Sequence, residues 1–403
     1  MTDQVTDQKP EPWDLLVFIG RFQPVHQGHL HVVKQALRHT DNLLVLIGSS
    51  NRSRSVKNPF SYLERREVFA SALQEELSDR ADAVNIEPLP DTLYNDNLWA
   101  SLVTEKVERC SADHIPAGQT PRIAVVGHSK DESSYYLKSF PGWGFVEIEN
   151  YRDLSATPLR NSFFQCGKHD ALEGSDDQRA KDDLDNSVLP CASRKFLETF
   201  QATDAFTALV EEQAYVDHYK TIWRGSPYPP VFVTVDALVR YKNECLFIRR
   251  GNSPALGLLA MPGGFLDPGE RSFDGAVREL EEETALSLDY SQWVHALKQQ
   301  RFFDHPARSV RTRTVTQAFY FDITDYVAQR PFVKAQDDAA EVCWVDIKRF
   351  ETASVQVGLA QSAADPGQSD AQGTGIDPTH FAEDHFFMMA AFLHNWPLIN
   401  PLY

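Results

Sequence analysis

The chain has 403 residues, enough for two or three domains, and its 42% hydrophobic content suffices for ordinary cores. Its formal charge of −18 argues against bulk binding to nucleic acid or an anionic membrane, which reward basic surfaces, but leaves room for a small basic phosphate pocket. The opening MTDQVTDQKPEPWD has neither the basic nor the apolar region of a signal peptide, and no apolar run nears the ~18 residues of a membrane span.

In chain order, LLVFIG (15–20) reads as a buried strand and HLHVVKQALRHT (29–40) as an amphipathic helix. NLLVLIG (42–48) is the next strand and SYLERREVFASALQEEL (61–77) the next helix; RIAVVG (122–127) and GFVEIE (144–149) are further strands. Apolar strands alternating with helices predict a doubly wound parallel sheet, an α/β domain over 1–190 with its core at 14–165. The charged, aperiodic stretch within 167–190 reads as a linker, and 191–228 as a helical connector ended by GSPYPP. From 229 to 403 the pattern changes to α+β. VFVTVDALV, ECLFIRR and TVTQAFYFDI are its strands, 272–284 is a strong helix, and FAEDHFFMMAAFLHNW is a closing one. QSAADPGQSDAQGTG (361–375) reads as a surface loop. The five cysteines (110, 166, 191, 245 and 343) are scattered, odd in number and without a CxxC, which predicts unpaired thiols of a cytoplasmic protein and no zinc site.

The first chemistry lies in GRFQPVHQGHL (20–30), behind the first strand. Strand-to-helix turns of such sheets bind ligands at the carboxyl ends of the strands. Gly20 can adopt positive φ and lets a ligand approach the backbone. A helix beginning near Gly28 offers free N–H groups to an anion, and His26 and His29, three residues apart, can turn both rings on it. LSATPLR (154–160) repeats the theme, with Thr157 as the expected N-cap, Pro158 in the first turn, and Ser155 and Arg160 beside them.

These two stretches resemble the HxGH and SSTxxR-type signatures of the nucleotidylyltransferase superfamily. NPFSYLERREVF, YNDNLW and GHSKDESSYYLKSFPGW are similar to its archaeal-type NMN adenylyltransferases, over residues 14–165. The resemblance implies a Rossmann-like domain that transfers adenylyl from ATP to NMN, giving NAD and pyrophosphate. It implies ATP contacts from Gly20, Arg21, Phe22, His26, His29, Gly127, Ser155, Thr157 and Arg160. Trp99 would stack on the nicotinamide ring and Asn97 meet its carboxamide, a cation over an indole face being attractive by ~0.5–2 kcal/mol. Ala156 departs from the family serine. Arg65 and Arg66, on helix 61–77, read either as surface charges or as ligand-side ones.

The second chemistry is GGFLDPGERSFDGAVRELEEETAL (263–286). Glu279, Glu282 and Glu283 crowd one helical turn with no lysine four residues on, and hard divalent cations suit such carboxylates. Arg278 and Glu270 are placed to pair and brace the loop on the helix. From Gly264 onward the spacing resembles the Nudix box, with Gly264, Glu270, Arg278, Glu279, Glu282 and Glu283 in their places. Ala285 stands where the box has glycine; if that position takes positive φ, alanine costs ~1 kcal/mol. The resemblance implies a Nudix-fold domain. Mg²⁺, or Mn²⁺ in its stead, would be held by Glu279, Glu282 and Glu283, with a box glutamate or Glu341 as base. FFDHPARSVRTRTV (302–315) is similar to ADP-ribose-directed Nudix proteins, which implies diphosphate or ribose-phosphate contacts from Arg308 and Arg311.

In this order the halves resemble the bacterial NMN adenylyltransferase/Nudix hydrolases, implying ATP, NMN and ADP-ribose as substrates and leaving a homo-oligomer open. Alternatives are adenylyl transfer to phosphopantetheine or nicotinate mononucleotide, and a Nudix domain that hydrolyses another nucleoside diphosphate derivative or only senses ADP-ribose.

Overall fold

The computed structural model describes residues 12–116, 118–128, 139–166, 187–350 and 375–394. The predicted linker therefore lies outside the described residues up to 186, as does the predicted loop 361–375 except for Gly375.

Five strands, β1 (Leu15–Gly20), β2 (Leu43–Ile47), β3 (Val84–Pro88), β4 (Ile123–Gly127) and β5 (Gly144–Glu147), form one sheet in the order β3-β2-β1-β4-β5. Every pairing is parallel. Alternation along β1 explains why its run is apolar throughout. Leu16 and Phe18 pack with Leu30 and Val33 of α1 (Gln27–Ala36) and with Val68 and Phe69 of α2 (Tyr62–Leu77). Leu15 and Val17 pack on the opposite face with Val103 and Val107 of α3 (Asp96–His114). Strand order reverses between β1 and β4, so the crevice for a ligand opens at Gly20 and Gly127, where those strands end. Sequence periodicity did not place β3 or α3. Burial along β3 is only partial, and α3 is polar on much of its surface.

After α4 (Ala156–Cys166), the connector forms α5 (Cys191–Phe200) and α6 (Asp204–Ile222). Both pack on the first domain: Ser193 Oγ donates to Val25 O at 2.9 Å, and Phe200, Phe206 and Leu209 join Phe60 and Phe163 in one cluster. Glu212 of α6 then reaches two ways, accepting from Val56 N–H at 2.9 Å and from Ala255 N–H, in the C-terminal half, at 3.0 Å. Burial pushes its carboxyl above the usual range.

The second domain is a mixed sheet, as the α+β pattern predicted. Its strands are β6 (Phe232–Tyr241), β7 (Glu244–Arg250), β8 (Leu259–Ala260), β9 (Gly263–Phe265), β10 (Leu297–Phe303), β11 (Thr314–Asp322) and β12 (Ala339–Asp346). The central order is β10-β11-β6-β7-β12, with β9 on β6 and β8 on β7. Helix α7 (Ser272–Thr284) packs Ala276 and Leu280 against Val235, Ala237 and Val239 on one face, where α8 (Tyr290–Ala296) adds Trp293. Helix α9 (His385–Leu393) packs Phe387, Met388 and Phe392 on the other, against Leu238 and Phe247.

The end of α7 meets the condition set by the sequence: Ala285 is left-handed, at φ 56° and ψ 16°. Ala285→Gly is therefore expected to stabilise the chain by ~0.5–1 kcal/mol, the strain removed exceeding the extra freedom given to the unfolded state. A rise in the denaturant midpoint of the full-length protein, with an unchanged slope, checks this.

Candidate active sites

The turn after β1 is built differently from the expectation. Gly20 is not at positive φ; Phe22 is, at 53°. Glycine is required at 20 because a Cβ there would lie 2.7 Å from the Phe22 ring. That ring is buried and stands edge-on to Phe18, Phe69 and His29, so Phe22 supports the turn as core rather than meeting a ligand with its side chain. His26 is the N-cap of α1, and its ring stacks on His29 with centroids 3.6 Å apart and planes 23° from parallel. His26 N–H donates to His29 Nδ1 at 3.2 Å. The two imidazoles thus form one unit at the helix start, as their spacing predicted.

Arg160, from α4, reaches the same turn at Gln23. Helix α4 begins at Ala156, which puts Ser155 at the cap position and Thr157 in the first turn, two residues inside the cap it was expected to form. Thr157 Oγ1 accepts from Arg160 Nη2 at 3.4 Å, and Gln23 O accepts from Arg160 Nη1 at 3.0 Å. Burial, with Arg21 beside it, lowers the Arg160 guanidinium to about 10, still charged at neutral pH. Arg65 is neither a surface charge nor a ligand-side one. It is buried and donates to Arg21 O and Gly48 O, both at 2.7 Å, and to Ser49 O at 3.1 Å, tying together the ends of β1 and β2; Arg66 is exposed.

A cavity of about 970 Å³ opens at the carboxyl ends of β1, β2 and β3. Gly20, Arg21, Arg52, Lys57, Asp96 and Trp99 are among its lining residues. Arg21, Arg52 and Lys57 make a local basic patch in a chain that is acidic overall. Asp96 and Trp99 lie three residues apart on one side of the first turn of α3, whereas Asn97 is exposed and does not line the cavity. Arg52 and Lys57 had no motif to mark them, and within YNDNLW the residues singled out were Asn97 and Trp99, not Asp96. Gly127 ends β4 with open space where a Cβ would stand.

In the second domain, Arg278 gathers the box. It donates to Glu270 at 2.7 and 3.1 Å, to Glu279 Oε1 at 2.9 Å and to Glu282 Oε2 at 2.8 Å. The brace between Arg278 and Glu270 is as expected. The charge relief thought missing from the helix comes from Arg278 itself, four residues before Glu282. Among the described residues no three His, Cys, Asp or Glu side chains converge as an ion cage, because Arg278 holds Glu279 and Glu282. Gly264 lies so close under Glu279 that a Cβ there would be 2.6 Å from its carboxyl carbon. Glu283 is buried and accepts from Gly263 N–H at 2.9 Å. Burial pushes its carboxyl up to about 8, with Glu279 and Asp236 adding to the push. Burial also raises Glu279. Two adjoining buried carboxyls, hard oxygen donors both, gain most from a divalent cation, so the donor set fits one.

Glu341 is exposed on β12 and pairs with Arg249 at 2.9 Å. The carboxylate beyond the helix that presses on Glu279 is Asp337, whose loop rests on the end of α7 through Gln336 N–H to Glu283 O at 3.1 Å. Of the two arginines assigned to ADP-ribose, Arg311 adjoins the box, its guanidinium 5.2 Å over the Phe265 ring. Arg308 does not face solvent. It is buried, donating to Asp384 at 3.0 and 3.2 Å, with Asp236 at 3.7 Å. Its charge is spent inside the fold, and a partner 76 positions away left no sign in the local sequence.

Comparison with known proteins agrees with this division. Residues 17–160 match the Cytidylyltransferase-like family and residues 230–364 the NUDIX domain. The nicotinamide/nicotinic acid mononucleotide adenylyltransferase of Acinetobacter baylyi is 34% identical over 203 residues, 50% of this chain and 93% of that protein. The nicotinamide-nucleotide adenylyltransferase of Saccharolobus solfataricus is 43% identical over 88 residues, 22% of this chain and half of that protein. The crystal structure of a bifunctional NMN adenylyltransferase/ADP ribose pyrophosphatase from Francisella tularensis superposes with a TM-score of 0.77 at 32% identity, covering 95% of this chain and 99% of that one. A second structure from the same organism, complexed with AMP and a manganese ion, superposes with a TM-score of 0.76.

Proposed function

The chain belongs to the family of bifunctional NMN adenylyltransferase/ADP-ribose pyrophosphatases, and from that membership we propose how its two sites divide the work. The first domain joins ATP and NMN into NAD, releasing pyrophosphate. The second hydrolyses ADP-ribose to AMP and ribose 5-phosphate. The observation that supports the first assignment is the stacked pair His26 and His29 at the start of α1, in the same turn whose Gln23 carbonyl accepts from Arg160.

Adenylyl transfer to a phosphate needs no enzyme nucleophile. Its barrier falls by alignment of the two reactants and by neutralising charge on the phosphoryl oxygens. His26 and His29 donate to those oxygens, Arg160 and Arg21 hold the departing pyrophosphate, and Trp99 gives the nicotinamide ring a face to stack on. Ser155, Thr157 and Gly127 complete the nucleotide's surroundings. Mg²⁺ is the proposed ion in both halves. In the hydrolase, Glu279, Glu282 and Glu283 would hold it, and it would supply charge neutralisation and an activated water. Arg278 orients Glu279 and Glu282, Gly263 N–H holds Glu283, and Arg311 lies where a diphosphate can reach it.

The test is direct. The purified chain with Mg²⁺, ATP and NMN should yield NAD and pyrophosphate. With ADP-ribose it should yield AMP and ribose 5-phosphate in preference to NADH, diadenosine polyphosphates or ADP-glucose. Absence of either product set refutes that half of the proposal.

A further inference from the structure

The cavity at the transferase sheet is not walled by the transferase domain alone. His305, Pro306, Ala307 and Arg308, from the second domain, line the same space as Trp99 and Asp96. We propose that this segment closes the acceptor end of the cavity, and that His305 is a binding residue of the transferase, donating a hydrogen bond from Nε2 to an oxygen of the bound mononucleotide. The inference rests on the adenylyltransferase reading above.

Three observations carry it. First, His305 Nδ1 accepts from Ala307 N–H at 3.2 Å, so the neutral ring bears its proton on Nε2 and enters the cavity as a donor. Burial lowers its pKa, in keeping with the neutral form; Asp384, Arg52, Asp91 and Asp96 are the charges around it. Second, His305 adjoins the start of α3, the helix that carries Trp99. The Tyr94 ring stands edge-on to it at 6.1 Å, and Tyr94 Oη donates to Asp384 at 2.5 Å. Third, the segment is fastened before any ligand arrives. Arg308 is bound to Asp384, Lys57 Nζ donates to Ser309 O at 2.8 Å, and the Arg52 guanidinium lies 5.3 Å over the Phe387 ring of α9. A donor held in advance costs little reorganisation on binding, which is what a specificity contact requires.

The experiment uses the full-length protein. NAD formation is measured with NMN varied at saturating ATP and then the reverse, alongside ADP-ribose hydrolysis. His305→Ala is expected to raise KM for NMN about 10-fold, the loss of one buried hydrogen bond, with KM for ATP and the hydrolase rate unchanged. His305→Gln, which keeps an N–H near the Nε2 position, should recover most of that loss, whereas a purely structural role would give no such rescue. Ala307→Phe, which narrows the cavity and keeps the backbone N–H that holds His305 Nδ1, should also raise KM for NMN. An unchanged KM for NMN in His305→Ala, or a loss confined to ADP-ribose hydrolysis, overturns the inference while NAD formation by the parent chain leaves the functional reading intact. No NAD from the parent chain overturns both.

Discussion

His29→Ala is expected to slow NAD formation by about 10²–10³-fold, the range found when one preorganised donor to a transition-state oxyanion is removed. The reason lies in the stack. His29 is held between the His26 ring and the edge of Phe22, so its position is fixed by the fold and not by the substrate. Alanine removes the donor and also the Nδ1 acceptor for His26 N–H, so the second activity is the readout that the fold survives. Pyrophosphate release measured at saturating ATP and NMN reads the effect, and ADP-ribose hydrolysis by the same preparation should stay at the parent rate. Parent-level NAD formation in this variant would remove His29 from the phosphate site.

Glu283→Gln is expected to do the converse, lowering ADP-ribose hydrolysis by on the order of 10²–10³-fold while NAD formation is untouched. Glutamine keeps the shape and the acceptor for Gly263 N–H, so the loop before α7 should hold. It also removes a charge from a buried position where burial already disfavours it, so the variant should unfold no earlier than the parent. Hydrolysis that survives the substitution would end the assignment of Glu283 to the ion. The two variants are controls for each other, since each leaves the second activity to report that the chain is folded.

Much of this was legible from residues alone, for local reasons. β1 reads as a strand because Leu15 to Phe18 are buried on alternate faces, and the box reads as a box because its parts lie within two dozen residues. What was lost is what depends on distance in sequence. Arg65 read as a surface or a ligand-side charge because its three carbonyl partners sit at the ends of strands far from it in sequence. Arg308 looked like a ligand arginine because Asp384 lies on α9's doorstep, far along the chain. Gly20 lines the cavity, as a glycine open to a ligand would, but positive φ is not what it supplies. Its need is space for the Phe22 ring, and the left-handed residue is Phe22 itself, which no preference for glycine could reveal. Asn97 and Asp96 differ by one step on a helix that periodicity did not find, and one step is a turn of about 100°.

Glu212 offers one carboxyl oxygen to each half of the molecule, through Val56 and Ala255. A clasp of that kind couples the halves in heat as well as in architecture. Neither can loosen along this seam without stripping an acceptor from the other, so the protein should melt as a single calorimetric unit rather than as two independent peaks.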